Sequence, residues 1–140
     1  WPGKVKPGTL CDTPVISMDF YPTFLELANL KPGKQPVDGE SLLPLFSQSG
    51  GLKRKAIYFH YPNYAWHMGN RLGSVIREGD WKLIRNYDDN SLELYNLPKD
   101  LSEEKNVAKQ NSKLASRLNK KLTTWLKATG APMPRPPKGN

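Results

Sequence analysis

The sequence predicts an α+β fold. A small antiparallel sheet of about four strands is covered by one long amphipathic helix near the C-terminus and preceded by the last helices of a truncated α/β domain. Three observations predict it. The runs Ser74-Val75-Ile76-Arg77 and Trp81-Lys82-Leu83-Ile84-Arg85 flank Glu78-Gly79-Asp80, and a glycine in so short a connection supplies the positive φ of a tight hairpin. Asp88-Asp89-Asn90 is a second turn signal, after which Leu92, Leu94 and Asn96 alternate against Glu93 and Tyr95, so another strand joins the meander. Over 106–129, Val107, Leu114, Leu118, Leu122 and Trp125, with Ala115 and Leu126 beside them, recur at three and four residues. Such a helix supplies the cover that one face of a meander requires.

The elements follow in order. Residues 1–9 form a loop, with turn signals at Pro2-Gly3 and Pro7-Gly8. Ser17 is the expected N-cap of a helix in which Phe20, Phe24, Leu27 and Ala28 share a face that should be buried. Asp19 and Pro22 are helix-start chemistry, Pro22 fitting only the first turn or a break, and Asn29 is the expected C-cap before Lys31-Pro32-Gly33. Ser41 should cap a short helix over 42–46. A strand over 56–60 runs into a loop over 61–73, and the meander follows. Gly130 ends the long helix, and 131–140 is a Pro-rich extended tail with no core to join. The expected division is 1–50 for the end of an α/β domain, 51–130 for the sheet and helix, and 131–140 for the tail.

A chain of 140 residues is long enough for one modest domain with a core. It opens on Trp1-Pro2-Gly3 and reads as a piece of a longer protein, with no apolar run long enough to span a bilayer. The single cysteine, Cys11, excludes an internal disulfide framework and a multi-cysteine metal site. It is expected to be a half-buried residue near a turn. The net charge is +8, and residues 97–140 carry 10 Lys/Arg against 3 Asp/Glu. That excess fits either the solvated face of a surface helix or attraction to an anionic polysaccharide or nucleic acid.

Several stretches, in this order, carry a family likeness. They are Trp1-Pro2-Gly3, Asp12-Thr13-Pro14-Val15-Ile16-Ser17-Met18-Asp19-Phe20-Tyr21-Pro22-Thr23-Phe24-Leu25, Asp38-Gly39-Glu40-Ser41-Leu42-Leu43-Pro44-Leu45, Tyr58-Phe59-His60-Tyr61-Pro62, Ile76-Arg77-Glu78-Gly79-Asp80-Trp81-Lys82-Leu83-Ile84 and Glu93-Leu94-Tyr95-Asn96-Leu97. Together they resemble the closing segment of a formylglycine-dependent sulfatase of the arylsulfatase type. The resemblance implies a parent enzyme that hydrolyses sulfate esters, of sulfated carbohydrate or of an aryl alcohol. It also implies a formylglycine made from Cys or Ser, a divalent cation, usually calcium, and periplasmic, secreted or lysosomal residence. The family's modification motif is Cys or Ser, any residue, Pro, any residue, Arg. Cys11 is followed by Asp12-Thr13-Pro14 without that Arg, so it is not the nucleophile. No metal-binding or catalytic residue of the family falls on this chain, which is expected to be inactive by itself.

What the resemblance leaves to this segment is structure and one wall of a substrate pocket. The candidate wall is the loop over 60–71, where Tyr61, Tyr64 and Trp66 offer faces for a sugar ring, and His60, Asn63, His67 and Arg71 offer donors to sulfate and hydroxyl oxygens. His60 also has a structural reading, as a hydrogen-bonding histidine at a strand end. Arg77 and Lys82 read as surface or interface groups, and Trp81 and Trp125 as core. The expected partners are the remainder of the catalytic domain and the sulfated substrate, and the apolar helix face gives the segment a route to self-association. The alternative is a non-catalytic module whose aromatic loop and basic helix grip anionic polysaccharide or, less favoured, nucleic acid; nucleic-acid binding by the helix would rest on Lys113, Arg117, Lys120 and Lys121.

Overall fold

The computed structural model describes residues 1–64 and 69–135. It divides into two units, Trp1–Lys55 and Ala56–Asn140.

In the first unit a 3-10 turn at Ser17–Asp19 leads into α1, Phe20–Leu27, and α2 spans Leu43–Phe46. Ser17 opens the helical turn and does not cap it. The cap is supplied by Asp19, whose carboxylate accepts the Ile16 N–H at 2.9 Å, an acidic side chain serving an orphan donor of the first turn. Pro22 lies in the first turn of α1, where its missing N–H costs no helical bond. Asn29 ends the helix in the left-handed region, φ 53°, while the Leu30 N–H closes on the Leu25 carbonyl at 2.8 Å. At α2 the Leu43 N–H reaches the Ser41 hydroxyl at 3.3 Å.

Two expectations for this unit are corrected. Phe20, Phe24 and Leu27 are not buried: they are 51%, 64% and 40% exposed, and the buried positions of the segment are Asp19 and Thr23. The apolar stripe exists, but the interior beside the helix is organised around polar groups. Cys11 is exposed, because its loop has neither helix nor strand to pack it.

Those polar groups explain why Asp19, Gly39, Glu40 and Arg54 occur together. Asp19 Oδ2 accepts the Ile16 N–H and Arg54 Nη2, the latter at 2.6 Å, and Oδ1 accepts the Glu40 N–H at 3.1 Å and Arg54 Nη1. Every acceptor site of the buried carboxylate is filled, as a buried charge requires. The Thr23 hydroxyl donates to the Asp19 carbonyl at 2.6 Å and accepts the Leu42 N–H at 2.9 Å. Glu40 takes the backbone N–H groups of Lys53 and Arg54 at 2.6 and 2.7 Å, which holds Arg54 against Asp19. Gly39 is glycine for space, since a Cβ there would stand 2.1 Å from the Met18 carbonyl oxygen.

The second unit is an antiparallel meander, β1 Ile57–Tyr61, β2 Gly73–Glu78, β3 Trp81–Asn86 and β4 Leu92–Asn96, paired in the order β1-β2-β3-β4. The β2–β3 connection is two residues, shorter than expected, because Glu78 stays in the ladder opposite Trp81. Gly79 takes the positive φ, 56°. Register aligns Tyr58, Ile76, Leu83 and Leu94 across the four strands. That row meets Ala115, Leu118, Leu122 and Leu126 of α3, Ser112–Ala128, to form the core. Leu83, Leu94, Leu118 and Leu122 are fully buried, each contributing roughly 1.5–3 kcal/mol of transfer free energy. Trp81 and Trp125 pack against this core from its edge.

α3 starts six residues later than the periodicity predicts. The Asn106 side-chain oxygen accepts the Leu94 and Ala108 N–H groups, and the Val107 N–H pairs with the Leu94 carbonyl at 2.9 Å. Residues 106–107 are thus spent on the edge of β4 and cannot also be helical. The tail also departs from expectation over 131–135. The Ala131 N–H bonds the Leu126 carbonyl at 3.0 Å, and its side chain joins the core. No helix among the described residues is long and apolar enough to cross a membrane.

Candidate functional site

The helix-facing side of the sheet carries a second row, His60, Ser74, Arg85 and Leu92, one pleat along from the core row. His60 Nε2 lies 2.7 Å from the Pro132 carbonyl, and Nδ1 lies 2.7 Å from the Ser74 hydroxyl. Since a carbonyl only accepts, Nε2 carries a proton. In the neutral ring Nδ1 then accepts the Ser74 hydroxyl, which in turn accepts the Tyr87 phenol at 2.7 Å. Ser74 is fully buried. The Tyr87 ring stands edge-on to the imidazole, centroids 6.1 Å apart, and the Arg85 guanidinium lies 5.5 Å from its centre. The chain Tyr87–Ser74–His60–Pro132 fixes the tail against the end of β1.

Beyond His60 that tail closes a cavity of about 340 Å³, lined by Pro62, Asn63, Tyr64, Leu72, Met133 and Arg135 together with Pro132. Asn63 offers its side-chain amide here, and its carbonyl takes the Asn70 amide at 3.4 Å. The Tyr64 phenol donates to Asp88 Oδ1 at 2.5 Å, and that bond raises its pKa above the ordinary tyrosine value. Arg71 does not line the cavity. Its side chain is 76% exposed and lies 3.9 Å from Glu93 Oε1. Glu93 is otherwise engaged by Asn86 Nδ2 at 2.8 Å and by the Tyr95 phenol at 2.7 Å. Burial first, and then that bond, push the Tyr95 pKa up to about 12. His67, and Trp66 beside it, lie outside the described residues.

Of the candidate residues described, Asn63 lines the cavity, His60 bonds the Pro132 that lines it without lining it itself, and Arg71 stands apart on Glu93. The tail residues Pro132, Met133 and Arg135 were missed by the sequence reading, as were Ser74 and Tyr87. A proline-rich stretch after a helix stop gives no periodicity, and only its apolar Ala131 and Met133 hinted at packing. Lys82 is structural: its ammonium is held by both Glu103 oxygens at 2.6 and 2.7 Å.

The family resemblance implies a formylglycine and a calcium for the parent enzyme. Among the described residues no three of His, Cys, Asp and Glu are grouped to hold a metal ion, and Cys11 stands in an exposed loop without the modification motif, so the described residues fit neither group.

Residues 1–128 match the family described as N-sulphoglucosamine sulphohydrolase, C-terminal. A sulfatase of Formosa agariphila is 34% identical over 148 residues, covering 94% of this chain and 27% of the relative. An N-acetylglucosamine-6-O-sulfatase of Bacteroides thetaiotaomicron is 32% identical over 111 residues, covering 76% of this chain and 20% of the relative. A solved structure of a protein in complex with its substrate D-glucosamine-2-N,6-O-disulfate is 31% identical with a TM-score of 0.61, covering 79% of this chain and 23% of that one. The chain thus spans about a quarter of the length of the relatives it matches.

Proposed function

This chain belongs to the sulfatase family, as its C-terminal domain, and from that premise we propose that it is the non-catalytic closing part of an enzyme that hydrolyses sulfate esters of carbohydrate. Its relatives are named for such esters. The formylglycine nucleophile and the calcium are assigned to the remainder of the parent, which is also the proposed partner of this chain. Residence in a periplasm, in a lysosome or outside the cell goes with that assignment.

The observation that carries the reading is the cavity beyond β1. Its lining includes Asn63, Tyr64 and Arg135, residues whose amide, aromatic ring and guanidinium are the kinds of group that a sulfated sugar requires. His60 contributes by position: with both ring nitrogens engaged it holds the tail, and through the tail it holds Met133 and Arg135 at the rim. Arg71 is proposed as an outer contact of the same wall, and His67, outside the described residues, as a substrate contact.

Sulfate release from an aryl sulfate and from a 6-O-sulfated glucosamine, with calcium present, tests this on the chain and on its parent. Activity is expected in the parent alone. There Asn63→Ala and Arg71→Ala should raise KM for the sugar about tenfold, the loss of one hydrogen bond to a charged group, and leave the aryl substrate little changed. Sulfate release by the chain alone would overturn the reading and return attention to Cys11.

A further inference from the structure

A second concave surface runs along α3. Tyr58 of β1 and Trp125 of α3 stack face to face, ring centroids 4.8 Å apart and planes at 5°. Both are half-buried. Beside them Arg117, Lys120, Lys121 and Thr124 line a groove of about 380 Å³ that continues to Ala128. These positions recur at three and four residues, so they form one stripe, about 16 Å long from 117 to 128.

The cations are held in place. Arg117 Nη1 donates to Glu78 Oε1 at 2.5 Å, and Lys121 Nζ donates to Glu78 Oε2. Burial pushes the Glu78 carboxyl up, while the bonds and charges of Lys121 and Arg117 together hold it below the ordinary range, so it is ionised at neutral pH. Both cations nevertheless remain about half exposed, 49% and 46%, and Lys120 is exposed beside them. The surface thus presents oriented cationic donors, one carboxylate acceptor and an aromatic edge.

We propose that this groove along α3 is a surface binding site for a sulfated polysaccharide strand, separate from the cavity beyond β1. The carboxylate selects the class of polymer. Sulfate groups take the three cations, the apolar face of a pyranose rests on the Trp125–Tyr58 edge, and ring hydroxyls donate to the remaining lone pairs of Glu78. A DNA strand is also an anion that the three cations would attract, but it has no backbone hydroxyl to give to Glu78, so only the sugar finds an acceptor there. The site would hold the polymer to the protein and leave the choice of the scissile ester to the catalytic pocket.

The test is calorimetric titration of the full chain with a heparin oligosaccharide, with the same oligosaccharide chemically desulfated, and with single-stranded DNA of equal charge. The heparin oligosaccharide should bind, and its affinity should fall as salt rises. Lys120→Gln and Arg117→Gln should each weaken it about tenfold. The Lys120 side chain is exposed and that of Arg117 is half exposed on Glu78, and an unchanged melting curve for each variant verifies the fold. Three results would each overturn the proposal: equal affinity in wild type and variants, equal affinity for the desulfated sugar, or DNA that binds as tightly and competes. The readout is binding and not sulfate release, so failure here leaves the hydrolase reading standing, and failure of that reading leaves this site untouched.

Discussion

Replacing Asp19 by Asn removes one charge and almost no volume, and its cost follows from the bonding pattern. Each carboxylate oxygen accepts one backbone N–H and one guanidinium N–H, Glu40 and Arg54 on Oδ1, Ile16 and Arg54 on Oδ2. An amide has one such oxygen. Whichever way the substituted side chain turns, its NH2 faces two donors, so one backbone bond and one charge-assisted bond are lost. The Arg54 side chain, only 18% exposed, loses the carboxylate it is bonded to and keeps only the through-space attraction of Glu40. One charged bond at about 1.5–3 kcal/mol, one neutral bond at about 1 kcal/mol and a partly buried cation with a weakened counter-charge give a loss of about 3–5 kcal/mol.

Hydrogen exchange at the Ile16, Glu40 and Leu42 amides reads this cluster, and their protection should fall by about two to four orders of magnitude at pH 7. Acid supplies an independent check. Burial raises the Asp19 pKa, but the Arg54 bond, the Ile16 and Glu40 N–H groups and the Arg54 charge lower it by more, to about 2 from 3.8. The unfolded chain therefore binds the proton more readily, and the carboxylate contributes about 2.5 kcal/mol that is full above pH ~4 and lost as pH falls through ~2. Wild type should lose that difference over this window, and Asp19→Asn should not. Protection in the variant within tenfold of wild type, or an identical acid response in both, would refute the reasoning.

Two further outcomes are expected from the first unit. Gly39→Ala puts a methyl group 2.1 Å from the Met18 carbonyl oxygen and 2.9 Å from the Asp19 N, backbone atoms that cannot rotate away, so it should cost about 3 kcal/mol by the same exchange measurement. Phe20 and Phe24 lie in a stacked pair, ring centroids 6.2 Å apart, on the exposed face of α1. The chain should therefore self-associate at high concentration in light scattering, and Phe20→Ser with Phe24→Ser should return it to a monomer.

What could be read in the sequence was whatever repeats. The meander and α3 have periods of two and 3.6, and their turns carry glycine or Asp/Asn, so the pattern alone marks Leu118 and Leu122 as the cover of the sheet, and both lie in the core. What repetition could not supply was the identity of the surface opposite. The stripe Phe20, Phe24, Leu27 is as regular as the stripe on α3, yet it is exposed. Nor does periodicity see side chains that answer single backbone groups. Asn106 displaces the start of α3 by bonding Leu94, and His60 recruits a tail 72 positions away through one carbonyl. Of the candidate residues, the crowding of the loop drew attention to Asn63, which lines the cavity, and to His60, whose structural reading as a hydrogen-bonding histidine at a strand end matches its bonds to Ser74 and Pro132. Ser74 and Tyr87 were not legible, because a serine and a tyrosine in and beside a strand look like any others.

Two of the paired carboxylates among the described residues, Asp19 and Glu78, show how the same chemistry can serve structure in one place and, by the proposal above, recognition in another. Asp19 and Glu78 both bind guanidinium, and both are held below their ordinary pKa range. At Asp19 the remaining lone pairs go to backbone N–H groups, and the side chain has no exposure. No ligand can approach, and breaking the pair exposes a buried charge. At Glu78 the second cation is a lysine, the carboxylate keeps 17% exposure, and both cations are about half in water. Exposed pairs of this kind contribute little to stability, about 0–1 kcal/mol, so exchanging part of the Glu78 contacts for sulfate costs the fold almost nothing. Glu78→Gln should then leave the melting curve nearly unchanged while altering polyanion binding, whereas Asp19→Asn should do the reverse. The charge pattern alone does not distinguish the two sites; how much water reaches them does.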